Sequence, residues 1–287
     1  MTGYFGIAFA LAALACFGIS DLVTKISLGT ASKWKLLVWG QLFGAAILLA
    51  LTIWQGQLPV GEITLFAIAV LIATGILNCI GMGFFYKAIE TKGVILASTV
   101  ANAWPIVTVI LGLALYGEQI GLLRGAGIAA SMLGVASISS NFLHKGEKLR
   151  FDESFASSIA ALLALGLLFF LVKAPSLAFG AVFTATAMKA ISGTAALPFA
   201  LHKKHDLLGT PTGTLALFAA VGLLDGLGTV AYCLAATVEP VSAVAPITAA
   251  FPALTFVLGT MLLHEKPTLR QKAGIAATLV GIIVVSL

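Results

Sequence analysis

The sequence predicts an all-α membrane protein, ten transmembrane helices arranged as two inverted five-helix repeats. Three observations lead there. Hydrophobic residues make up 60% of the 287-residue chain and charged residues only 9%, whereas a soluble domain carries about a quarter charged. The apolar residues gather into ten runs, each near the ~20 residues that a helix needs to cross a bilayer core. The chain also repeats itself: slid along by 147 positions, residues 103–134 are identical to their counterparts at 14 of 32 places.

The first five runs lie near 4–26, 35–54, 64–88, 93–116 and 122–142, and the second five near 155–173, 179–201, 212–236, 240–263 and 271–287. A polar connector, 144–154, divides a first repeat over 1–143 from a second over 155–287 and is too short to form a soluble domain. Met1-Thr2-Gly3-Tyr4 carries no basic stretch, and no cleavage site follows, so the first run reads as an uncleaved helix. Cys16, Cys79 and Cys233 sit far apart inside apolar runs with neither paired spacing nor a nearby His, and read as small hydrophobes.

The 147-residue shift lays Pro105 on Pro252, Gly112 on Gly259, Glu118 on Glu265, Gly127 on Gly274 and Gly134 on Gly281. Further upstream it lays Asn78 on Asp225 between matched glycines, and a shift of 148 pairs Gly18 with Gly166 and Lys25 with Lys173. An odd number of spans per copy turns the second copy over in the membrane. Inverted copies can rock about a shared seam to expose it on either side.

The runs Val94 through Pro105, Leu115-Tyr116-Gly117-Glu118 and Gly127 through Gly134 resemble the EamA-type domain of the drug/metabolite transporter superfamily. Pro252, Gly259, Leu263-His264-Glu265 and Gly274 through Gly281 repeat the pattern, so the resemblance covers nearly the whole chain. It implies a ten-helix carrier with a central cavity lined by the first, third and fourth helices of each half. Cargo in the superfamily is diverse, including amino acids, sugar phosphates, nucleotide sugars, choline and drugs. The Trp104-Pro105 pair is similar to that of its amino-acid exporters. The expectation is therefore a secondary carrier, exporting a small organic metabolite such as an amino acid or amine across the plasma or inner membrane. The rival readings are a flippase for a lipid-linked sugar or headgroup, which needs a groove open sideways, and a non-transporting scaffold.

Within the spans, the residues expected to bind substrate or a coupling ion are Asn78, Asn102, Trp104, Lys189 and Asp225. An ionised side chain at mid-helix costs about 2.5–3.5 kcal/mol on insertion scales, so Asp225 needs either an ion pair with Lys189 or a proton, cation or amine to hold. Its counterpart Asn78 is neutral, which puts the charge on one side of the repeat. Asn102 and Trp104 precede Pro105, where a lost backbone bond bends the helix; Pro246 and Pro252 do the same in the ninth span, beside Ser242 and Thr248. These three prolines are the expected kink or gate points.

Other polar residues read as structural. Asp21 and Lys25, four apart, share a helix face and neutralise each other; Lys25 and Lys173 also have the reach to snorkel. Tyr86 and Tyr232 read as interfacial anchors, Glu118 and Glu265 as turn or cap residues, and the glycines of the fifth and tenth spans as packing surfaces, open to a homodimer contact.

No metal cluster, nucleophile with its base, or phosphate-binding glycine loop appears, so the sequence calls for no cofactor, no enzymatic activity and no ATP, only a gradient of substrate or ions. The net charge of +5 lies in short connectors rather than on one basic face, against a nucleic-acid partner. Twelve Lys and Arg residues fall in odd-numbered connectors and only Arg124 and Lys173 in even ones. This places both termini outside by the positive-inside rule, whereas the resemblance implies cytoplasmic termini.

Overall fold

In hydrocarbon no water is available to backbone N–H and C=O groups, so an apolar run crosses as a helix that satisfies its own bonds. The computed structural model describes residues 3–56, 64–92, 100–140, 153–202, 207, 209–263 and 268–286, which form helices and no strand. The first copy contributes α1 (Gly3–Leu28), α2 (Lys33–Gln55), α3 (Leu65–Lys92), α4 (Pro105–Leu115) and α5 (Leu122–Ser140). The second contributes α6 (Glu153–Leu171), α7 (Lys173–Phe179), α8 (Ala181–His202), α9 (Thr212–Val238), α10 (Val241–Thr248), α11 (Phe251–Leu263) and α12 (Leu269–Ser286). Most of the connector expected at 144–154 lies outside the described residues.

Seven helices among the described residues are long and apolar enough to cross a membrane, counting α6 with α7 and α10 with α11 as single bent spans. Two of the other expected spans are represented by the shorter apolar helices α4 and α5. The last, α8, has the length, but Lys189, Thr184, Thr186 and Ser192 on its buried face lower its apolarity. Apolar side chains face outward as well as inward: Phe66, Ile53 and Leu133 are each about 70% exposed, the surface of a protein solvated by lipid.

Local chemistry sets the helix ends. Ser32 caps α2 by accepting the Lys35 N–H at 3.4 Å, and Gly56, left-handed at φ 61°, ends it. Pro240 stands before α10. Pro105 opens α4 at its first position, where its missing N–H costs nothing. The predicted bend at Pro105 is thus a break: residues 102–104 form a turn, and the Ile106 N–H reaches back to Ala103 O at 3.0 Å. In the ninth span Pro246 lies inside α10, and Ala249-Ala250 separates it from α11, which carries Pro252 in its first turn.

The large packing faces join one copy to the other: α1 on α9, α3 on α6, α2 on α8, α4 on α10 and α5 on α12. The α5–α12 face is close. A Cβ added to Gly127 would lie 3.0 Å from Gly281 O, and one on Gly134 would lie 2.6 Å from Gly274 O. The glycine faces of the fifth and tenth spans are therefore occupied within the chain. Between α2 and α9, a Cβ on Gly44 would meet Gly222 O at 2.7 Å.

Candidate functional site

These inter-copy contacts enclose a cavity of about 110 Å³. That is several times the ~10–15 Å³ that admits a single water, room for a few waters or a small solute. Asn78, Asn102, Trp104, Lys189 and Asp225, the five predicted site residues, all line it, together with Asp21, Gln41, Tyr86, Phe169 and Phe251.

One wall is a continuous polar chain. Asn78 Nδ2 on α3 donates to Ser192 Oγ at 2.9 Å and to Gln41 Oε1 at 3.0 Å; Gln41 Nε2 donates to Asp225 Oδ2 at 3.2 Å. The same carboxylate oxygen accepts the Lys189 ammonium. Lys189 is 2% exposed and the Asp225 side chain 22%, so the ammonium is enclosed while the carboxylate keeps an edge on the cavity. Burial of either charge alone is expensive, which explains why the pair is made. Lys189 lies 148 residues after Gln41, and Asp225 lies 147 after Asn78. The second copy's ion pair therefore occupies the places of a neutral amide pair in the first.

At one end of the cavity the rings of Trp104 and Phe169 stack at 4.2 Å, and Tyr232 leans on Phe169 at 4.6 Å. The Tyr232 hydroxyl donates to Phe169 O at 3.0 Å. Behind this stack Glu118 accepts the N–H groups of Val241 and Ser242 at 2.8 and 2.9 Å, so it caps α10 from the first copy's α4–α5 turn. Lys173 stands 3.8 Å from Glu118, donates to Glu239 O at 3.3 Å and lies over the Tyr116 ring. The cap role expected of Glu118 is thus exerted across the two copies. Its repeat partner Glu265 lies outside the described residues.

Pro105 and Pro246 flank a second cavity of about 170 Å³ with Ile106, Ser131, Met132 and Ala249, and Asn102 lines both cavities. The Ser131 hydroxyl is buried without a hydrogen-bond partner. Pro252 lines neither. The hydroxyls expected to gather at the ninth span's break are buried: Thr248 lies 3.5 Å from Ala10 O, and Ser242 is in the turn capped by Glu118.

Three structural readings are corrected. Tyr86 and Tyr232 are 4% and 0% exposed and face the interior, because α3 and α9 run six residues past them and neither tyrosine stands at a helix end. Asp21 and Lys25 make no close ion pair: Lys25 is exposed and reaches Asp21 only through its charge, while Asp21 lines the cavity beside Thr255. Lys173 does not snorkel but joins the Glu118 cluster. Sequence reasoning missed Gln41, whose only signal was an amide in the middle of an apolar span.

The copies correspond in detail around this site. Thr108 Oγ1 donates to Gly166 O at 2.8 Å, and Thr255 Oγ1, 147 residues later, donates to Gly18 O at 3.0 Å. Each bond runs from one copy into the other.

The family profile described as EamA-like transporter family matches residues 4–140 and again 155–287. No curated protein matches the sequence. Among the solved structures, the crystal structure of one protein superposes with a TM-score of 0.81 over 98% of both chains at 18% identity, a likeness of fold.

Proposed function

Since the chain belongs to the EamA-like transporter family, and is a multi-pass membrane transporter, we propose that it is a secondary carrier working by alternating access of two inverted repeats. The cargo is a small organic metabolite such as an amino acid or amine, and the direction is export across the plasma or inner membrane. The observation that carries this reading is the cavity itself, which is lined by both copies and holds an ion pair with one carboxylate edge uncovered.

Three features support a two-fold relation between the copies, which five spans per copy turn into an inversion. The packing faces exchange under the repeat, α1 on α9 answering α6 on α3. So do the Thr108 and Thr255 hydrogen bonds. So do the glycine contacts, Gly127 with Gly281 answering Gly274 with Gly134.

Turnover in this scheme requires the Trp104–Phe169–Tyr232 stack to part and the Glu118 cap to loosen while the opposite end closes. The solute then meets the Lys189–Asp225 pair, and competes for it through a carboxylate toward Lys189 or an ammonium toward Asp225. No nucleotide is needed; the gradient of solute, proton or cation drives the cycle. Reconstitution in proteoliposomes tests this: Asp225→Asn is expected to insert normally yet lose solute flux or its pH dependence. Unchanged uptake and pH response in that variant defeats the assignment of Asp225, and absence of flux for every metabolite tried defeats the carrier.

A further inference from the structure

The two ends of the cavity are unequal, and we infer, resting on the carrier reading above, that the inequality selects an organic cation as cargo. The paired bonds from Thr108 to Gly166 and from Thr255 to Gly18 fix which residues of the two copies correspond. Three residues beyond those glycines stand Phe169 in one copy and Asp21 in the other. In the same register Trp104 corresponds to Phe251, and Tyr232 to Phe85.

One end is shut by the stack of Trp104, Phe169 and Tyr232, with Trp104 and Tyr232 2% and 0% exposed. At the other end Phe251 and Phe85 are half-buried and, among the described residues, make no ring contact with each other. The place that Phe169 fills at the shut end is held there by Asp21. Inverted copies exchange conformations as a carrier turns over, so shutting this end gathers Phe251 and Phe85 around a carboxylate. A carboxylate desolvated among rings without a counter-charge is one of the costliest groups to bury.

The cavity offers no such charge. Lys189 is committed to Asp225; Lys25, whose charge reaches Asp21, is exposed and beyond ion-pair distance of it; and no other cation among the described residues lines the cavity. Thr255 beside Asp21, and Tyr86 within electrostatic reach of both carboxylates, contribute hydroxyls only. The cavity thus carries one surplus negative charge, walled by Phe17, Phe85, Tyr86 and Phe251, whose rings attract a cation and accept an apolar body. A monocationic amine with an aromatic or aliphatic body supplies what closure lacks.

Three probes that share a phenyl ring on a two-carbon arm and differ in charge test this on the purified full chain: phenethylamine, phenylalanine and 3-phenylpropionate, titrated calorimetrically. Phenethylamine is expected to bind at least tenfold more tightly than the other two, Asp21→Asn to erase that preference, and Asp21→Glu to retain it. The inference is overturned by equal or tighter binding of the zwitterion or the anion, by a preference that survives Asp21→Asn, or by binding of none of the three. Exchange in proteoliposomes separates the two readings. An amine that binds through Asp21 but never exchanges keeps the site and ends the carrier, whereas exchange of phenylalanine alone keeps the carrier and ends the cation assignment.

Discussion

Lys189 gives its ammonium to Asp225 on the neighbouring helix, and the corresponding places in the first copy are held by Gln41 and Asn78, joined at 3.0 Å. One copy thus keeps as an amide pair what the other has as an ion pair, and Gln41 ties the two together.

Breaking that pair from one side is expected to be severe. Lys189→Met leaves Asp225 without its cation, and Asp225→Leu strands Lys189 at 2% exposure; each costs about 3 kcal/mol or more of stability. The double variant recovers most of the loss, since two apolar side chains replace two charges. Thermal unfolding in detergent of the singles and the double checks this, and solute flux is expected to be absent from all three.

Removing the cross-copy cap loosens the shut end. Glu118→Ala deletes two charge-assisted hydrogen bonds to the start of α10 and leaves Lys173 without its carboxylate. A loss of about 2 kcal/mol is expected, with faster thiol labelling of a cysteine placed at Phe170, behind the stack. If labelling does not accelerate, Glu118 does not hold that end closed.

The repeated threonine bonds are expected to be worth the same. Thr108→Val and Thr255→Val each leave a glycine carbonyl without its hydroxyl donor, at about 1 kcal/mol apiece. Melting curves of the two variants should shift by similar amounts and add in the double variant, because the sites share no partner.

Lys87, at the end of its span, pairs at 2.7 Å with Glu153, which precedes the next, and the hydrogen bond from Lys87 holds the Glu153 carboxyl below its ordinary value of 4.5. A carboxylate whose folded pKa is depressed stabilises the fold above the unfolded value and loses that contribution as pH falls through the folded one. Both side chains are largely exposed, so the effect is small and screened by salt. The difference in melting temperature between wild type and Glu153→Gln is expected above pH 4.5 and to vanish on acidification below it.

Charge, apolar length and proline spacing are local properties, and they made Asp225, Lys189, Asn102 and Trp104 legible as cavity residues before any coordinates. Gln41 was not legible, because a neutral amide raises the cost of an apolar span too little to stand out. Asp21 was misread for a different reason. Its spacing from Lys25 permits an ion pair, but Lys25 lies exposed while Asp21 faces the cavity beside Thr255, more than 200 positions away. The tyrosines show the same limit, since a ring near an estimated helix end becomes an interior group once the helix continues for six more residues.

The outermost seam carries its own consequence. Where α5 crosses α12, a methyl group added to Gly127 or Gly134 meets peptide backbone as well as a side chain, and the backbone cannot step aside. Each half therefore forbids the other any substituent at that crossing, a mutual veto that Gly44 and Gly222 repeat between α2 and α9. Around the hollow, by contrast, Asp21 in one half stands where Phe169 does in the other, and the two mouths of an otherwise even-handed frame are told apart.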